Sequence, residues 1–168
     1  MKRALFVVDM QNICVGKNHS SFFKYEKDAL IKAVNERIAE YESENVFYVC
    51  NIMKNNFLNR LAPVKAFYGS VEAEIAEEVN VVSDNIIIKY EGDAFSNPDL
   101  IKVLNEIKID EIELTGLDGG GCVALTALGG LKNGFKVIIN ESAVQTMLPK
   151  KAEKYKRILK NKGAKFIQ

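Results

Sequence analysis

The chain has 168 residues, a net charge of +1, 48% apolar and 27% charged side chains, three cysteines and one histidine. That mixture fits one soluble domain, residues 1–168, large enough to bury a core without disulfide staples. No apolar run approaches the roughly 18 residues of a membrane helix, an odd cysteine count argues against a disulfide framework, and a lone His19 excludes a histidine-rich zinc site.

The opening, Met1-Lys-Arg-Ala-Leu-Phe-Val-Val-Asp9, has an apolar run too brief for a secretory signal. Residues 3–9 read instead as a strand buried on both faces. Gln11 and Asn12 follow; either they orient Asp9 or meet a substrate, or they cap the first turn. His19 lies in a polar loop, where a solvated role is the simpler reading. Residues 29–41 form a helix with Leu30, Val34, Ile38 and Tyr41 on one stripe. Residues 45–50 are the second strand. Residues 51–70 are the least periodic part, a long connection suited to covering a substrate. Residues 71–79 read as a short helix, and residues 85–89 as a third strand ending in Lys89.

Asn97-Pro-Asp99 is a strong helix start: an N-cap, proline at the first position, an acid in the first turn. That helix runs to about residue 108. Residues 111–116 are the fourth strand. Asp118-Gly-Gly-Gly-Cys122 then turns into a helix over residues 122–133, with Gly134 as its stop. Residues 135–140 are the fifth strand, 148–161 a helix and 164–168 a closing strand. The last helix carries most of a basic tail, but an apolar stripe of Ala152, Tyr155, Ile158 and Leu159 marks a solvated face, not a nucleic-acid patch. Repeated βα units argue for a parallel sheet covered by helices on both faces.

Ligands of such sheets sit outside the carboxyl ends of the strands. Asp9, Lys89 and Cys122 all fall there. Helix N-termini favour thiolates, a carboxylate can take a thiol proton, and an ammonium steadies the resulting charge. Each has an ordinary alternative: a turn cap for Asp9, a solvated strand end for Lys89, an inert packed thiol for Cys122. Their joint placement carries the reading. Cys14 and Cys50 follow strand ends without a glycine bend and read as packing. Phe22, Phe23, Tyr90 and Phe95 are candidates for an apolar pocket wall or for the core, with Phe95 and Gln11 taken as substrate-binding.

Three blocks carry a family resemblance. Phe6-Val-Val-Asp-Met-Gln-Asn12 resembles the opening motif of the isochorismatase-like cysteine hydrolases. Lys89-Tyr-Glu-Gly-Asp-Ala-Phe-Ser-Asn-Pro-Asp-Leu100 resembles their lysine block. Gly116-Leu-Asp-Gly-Gly-Gly-Cys-Val123, with Thr126-Ala127 and Asn133-Gly-Phe-Lys-Val137, resembles their nucleophile block, and Gly69-Ser-Val-Glu-Ala-Glu-Ile75 is a weaker match between. The resemblance implies a three-layer α/β/α fold with a six-stranded parallel sheet in the order 3-2-1-4-5-6. It implies a triad of Asp9, Lys89 and Cys122 that cleaves a small amide-type C–N bond through a thioester. It further implies a cis peptide at Leu117–Asp118 and an oxyanion hole from the N–H groups of Asp118 and Cys122. A cytoplasmic homo-oligomer, dimer or tetramer, acting on a small molecule without cofactor, nucleic acid or membrane is the corresponding expectation.

Two departures stand out. Asp118 occupies a position where that family more often carries a small or apolar residue, and its charge opposes an oxyanion unless it points away. The family's metal-bearing nicotinamidases place an aspartate and two histidines after the second strand, where this chain has Asn51-Ile-Met-Lys-Asn55. Competing readings are a catalytically silent relative, an isochorismatase-type enzyme that does not cut amides, and a metal-dependent nuclease of the PIN or NYN type. The last gives Cys122 and Lys89 no role. A nucleotide-binding loop fails on spacing, since the glycines from Gly116 to Gly121 do not form G-x-G-x-x-G.

Overall fold

A computed structural model describes residues 1–168. Its framework is β1 (Arg3–Val8), α1 (Asn12–Val15), α2 (Lys27–Ile38), β2 (Val46–Asn51), α3 (Phe57–Arg60), β3 (Ile86–Lys89), α4 (Pro98–Glu106), β4 (Glu111–Leu117), α5 (Cys122–Lys132), β5 (Lys136–Gln145), α6 (Pro149–Asn161) and β6 (Lys165–Ile167). The six strands form one sheet in the order β3-β2-β1-β4-β5-β6, every pair parallel. β1 and β4 lie centrally, and their near-continuous burial reflects helices on both faces.

Side chains alternate between two cores. Ala4, Phe6 and Val8 join Phe47, Val49, Ile112 and Leu114 in a larger cluster with residues of α4, α5 and α6. Leu5 and Val7 join Val46, Tyr48 and the buried stripe of α2, Leu30, Val34 and Ile38, on the other face. α4 begins as its sequence dictates: Asn97 accepts from the Asp99 N–H at 2.9 Å and Pro98 takes the first turn.

Residues 71–79 depart from the sequence reading. Only Val71–Ala73 form a 3-10 turn, after which Ile75 pairs antiparallel with Gln11 and Ala76 and Val79 tuck into the α2-side core. A tertiary pairing overrides a weak helical pattern. β5 also runs farther than expected. Past Asn140 its ladder with β4 shifts register, so that Gly116 and Leu117 pair with Val144 and Gln145. β4 is thereby held extended right up to the glycine turn.

Gly116 of β4 pairs with Val8 of β1. It sits at φ +96°, and a Cβ there would stand 2.2 Å from the Val8 carbonyl oxygen. Gly116→Ala combines backbone strain with a clash against backbone that cannot rotate away. The expected loss is about 2 kcal/mol or more of folding stability, read from urea unfolding. A loss below about 0.5 kcal/mol, the range of a neutral surface change, shows that the two strands separate freely here.

Candidate active site

β1 ends in Asp9, the residue after its last ladder position. Asp9 adopts φ +52°, a left-handed conformation that aspartate tolerates better than most residues. Its N–H donates to the Val49 carbonyl at 2.8 Å, which anchors the backbone while the side chain turns off the strand. Lys89 closes β3 opposite Asn51 of β2. Both side chains are buried, the residues 6% and 1% exposed, and Lys89 Nζ donates to Asp9 Oδ2 at 3.1 Å. The second carboxylate oxygen, Oδ1, is buried without a partner. A buried acceptor left open in this way is costly unless something donates to it during function.

Cys122 is the first residue of α5, half-buried, and both Asp9 and Lys89 bear on its thiol. Burial pushes the thiol up to about 12, the Asp9 carboxylate adds to that, and the Lys89 ammonium opposes it. The resting group is therefore a protonated thiol, not the thiolate that a helix N-terminus alone would favour. Burial by itself would lower Lys89, but Asp9 and Cys122 outweigh it and hold the amine above its ordinary value. The three expected catalytic side chains meet at one place, with one cation, one anion and one neutral thiol.

The turn before Cys122 is bonded with one gap. The Leu117–Asp118 peptide is cis. The amides of Gly119, Gly120, Gly121 and Val123 each donate within the chain, to Gln145 O, Asp118 Oδ1 and, for the last two, Asp118 O. Those of Asp118 and Cys122 do not. The Asp118 carboxylate is held by four donors. Oδ2 accepts from Tyr25 Oη at 2.9 Å and the Met147 N–H at 2.7 Å, and Oδ1 from Thr146 Oγ1 at 2.6 Å and the Gly120 N–H at 2.7 Å. An acid so coordinated ties the nucleophile turn to two distant loops. Tyr25, Thr146 and Met147 carry no local sequence signal for this role.

Two expected substrate contacts fall elsewhere. Gln11 is 1% exposed, and its Oε1 accepts from the Asn51 N–H while its Nε2 donates to the carbonyls of Asn51 and Ala73. Its amide braces the wall beside Asp9. Phe95 turns into the core between Phe6 and Phe135, with ring centroids 6.3 and 5.7 Å away. Among the other aromatic candidates, Phe22 and Tyr90 are exposed, and Phe23 stacks on Tyr25. Asn12 donates to the Val71 carbonyl and His19 contacts the Gly16 carbonyl. Cys14 and Cys50 are buried, and burial raises both thiols, Cys50 to about 12.

No three His, Cys, Asp or Glu side chains stand together as a metal site. After β2 the chain presents Met53, Lys54 and Asn55, and an ammonium opposes a divalent ion. The residues here do not fit the zinc of metal-bearing relatives. No helix is long and apolar enough to cross a membrane.

The family model for the isochorismatase domain matches residues 3–168. No curated protein matches the chain. Among solved structures, pyrazinamidase of Pyrococcus horikoshii in complex with zinc is similar at 26% identity and TM-score 0.85, covering 100% of this chain and 99% of that one. N-carbamoylsarcosine amidase from Thermoplasma acidophilum follows at 24% and 0.83, covering 100% and 96%. A nicotinamidase/pyrazinamidase of Acinetobacter baumanii is similar at 23% and 0.85, covering 99% and 96%.

Proposed function

The chain belongs to the isochorismatase family of hydrolases, and from that premise we propose that it cleaves an amide-type C–N bond of a small non-peptide metabolite through a thioester on Cys122. The observation that carries this reading is the buried Asp9–Lys89 pair set against a half-buried thiol, with an unpartnered carboxylate oxygen to receive its proton. Residues 1–168 act as one catalytic domain.

Asp9 takes the proton of the Cys122 thiol as sulfur attacks the carbonyl carbon. Lys89 stays protonated and offsets the negative charge shared by carboxylate and sulfur. The tetrahedral oxyanion lies against the N–H groups of Asp118 and Cys122, each worth about 2.7–4 kcal/mol in comparable sites. As the C–N bond breaks, Asp9 returns its proton to the leaving nitrogen, giving ammonia or an amine and an acyl thioester. Water then attacks the thioester, giving its proton to Asp9. The C–S bond breaks, the acid leaves, and the thiol recovers its proton from Asp9. No step requires a cofactor. Three free thiols suit a reducing, cytoplasmic setting, and we include assembly as a homo-oligomer, dimer or tetramer, in the proposal.

A panel of primary amides and N-carbamoyl compounds, nicotinamide included, assayed for ammonia release tests the reading. The wild type is expected to turn over at least one member and Cys122→Ala to lose about 10⁴-fold or more. An acid-quenched reaction should show an acyl mass on the peptide containing Cys122. Undiminished release by Cys122→Ala, or vinyl-ether cleavage that ignores the thiol, overturns the thioester.

A further inference from the structure

Residues 51–71 change the character of the chain. They contain Lys54, Arg60 and Lys65 and no aspartate or glutamate, within a protein whose charges otherwise almost balance. Some lysines elsewhere meet acids, Lys17 with Glu77, Lys32 with Glu36, Lys102 with Glu106 and Lys156 with Glu141, so the segment is set apart by its lack of acids. None of the three cations after β2 makes an ion pair.

The segment starts at the edge of the catalytic group, because the Ile52 N–H donates to the carbonyl of Lys89 at 2.8 Å. Lys54 Nζ then stands 5.8 Å from the centroid of the Tyr90 ring, the residue after Lys89. Arg60 Nε donates to Asn55 Oδ1 at 2.8 Å. Arginine has only donors, so this bond fixes the amide orientation and leaves Asn55 Nδ2 free to donate. Lys54, Asn55 and Tyr90 line a cavity of about 330 Å³ with Ile52, Phe67 and Tyr68, and no carboxylate lines it. An exposed cation beside an aromatic face, in a groove with no carboxylate among its lining residues, attracts an anion.

The geometry points to a carboxylate-binding subsite: the substrate is a small amide or N-carbamoyl compound that carries a carboxylate, held by Lys54 and Asn55, at its non-reacting end. This assignment rests on the hydrolase reading for the reacting end and adds the identity of the other. Lys54 is a specificity-determining residue in this scheme, with Arg60 holding Asn55 in place.

Calorimetry on the Cys122→Ala protein tests the subsite without turnover. Succinamate and glutaramate are compared with their neutral partners, succinamide and glutaramide. At least one acid should bind tenfold or more tighter than its diamide, with the difference shrinking as salt is raised. Adding Lys54→Gln should remove at least fivefold of that preference, and Lys54→Arg should keep it. Equal binding of acid and diamide, binding of neither, or a preference unchanged by Lys54→Gln overturns the subsite. Ammonia release by the wild type separates the two ideas. Turnover of neutral amides with refusal of acidic ones overturns the subsite and leaves the thioester intact. Anion binding that depends on Lys54, with no amide cleaved, overturns the hydrolase reading and leaves the subsite standing.

Discussion

Asp9→Asn is expected to lower kcat/KM by about 10⁴-fold while moving the Cys122 thiol downward from about 12. The two effects have opposite signs for one physical reason. In the resting protein the Asp9 carboxylate opposes a second negative charge beside it, so it helps keep the thiol protonated. In the proposed reaction the same carboxylate is the acceptor that lets sulfur become nucleophilic. Asparagine removes the repulsion and the acceptor together. A residue that merely shaped the pocket would lower turnover without making the thiol more acidic. Thiolate absorbance followed against pH, as the difference from Cys122→Ala, reads the first effect, and kcat/KM on any substrate from the panel reads the second. Lys89 loses its ion-pair partner in this variant, so unfolding is measured on the same sample to keep stability apart from chemistry. Retention of more than about a tenth of wild-type turnover, far above a general base's usual 10²–10⁴-fold contribution, sinks the assignment. So does a thiol that titrates higher than in the wild type.

The parts of this molecule legible in its sequence are those set by short-range pattern. Strands buried on both faces are unbroken apolar runs, so Phe6 to Val8 and Val46 to Cys50 announce themselves, and the edge strand from Ile86 to Ile88 shows the same run. Asn97-Pro98 is capping chemistry confined to one turn. Asp9, Lys89 and Cys122 were readable because each ends or follows a strand, and a parallel sheet gathers those ends on one side. What the sequence hides depends on partners remote along the chain. Val71, Ile75 and Val79 keep helical spacing, yet Ile75 is captured by Gln11, some sixty residues away. Gln11 follows β1 and looks like a substrate ligand, but backbone groups of Asn51 and Ala73 claim its amide. Asp118 looks like a threat to an oxyanion hole until Tyr25, Thr146 and Met147 arrive from two other loops. Phe95 lies within the lysine block, and only the packing of Phe6 and Phe135 shows that it faces the core.

Glu113→Ala, far from the catalytic group, is expected to cost about 3–5 kcal/mol, a large share of the ordinary 5–15 kcal/mol stability of a domain. Glu113 lies in the middle of β4, where an apolar residue would be usual, and is 0% exposed. Arg37 of α2 grips both its oxygens, at 2.5 and 2.7 Å. Tyr41 Oη donates at 2.8 Å, Asn140 Nδ2 at 3.1 Å, and an Arg3 nitrogen stands 3.6 Å away. Removing the acid strands several donors against the sheet, which is worse than never having buried the group. Burial alone would raise this carboxyl, but the bonds from Arg37, Tyr41 and Asn140 outweigh it and hold Glu113 below the ordinary glutamate value. A carboxyl depressed in the folded state adds stability above its unfolded value of about 4.3 and loses it as pH falls through the folded value. The gap between wild type and Glu113→Gln should therefore be widest near neutrality and close on acidification, as read from urea unfolding at a series of pH values. Pairing Glu113→Leu with Arg37→Met should recover part of the loss, because an apolar pair leaves no buried charge to satisfy. A pH-independent gap, or one below about 1 kcal/mol at neutral pH, the scale of an exposed ion pair, shows that this cluster does not pin α2 to the sheet.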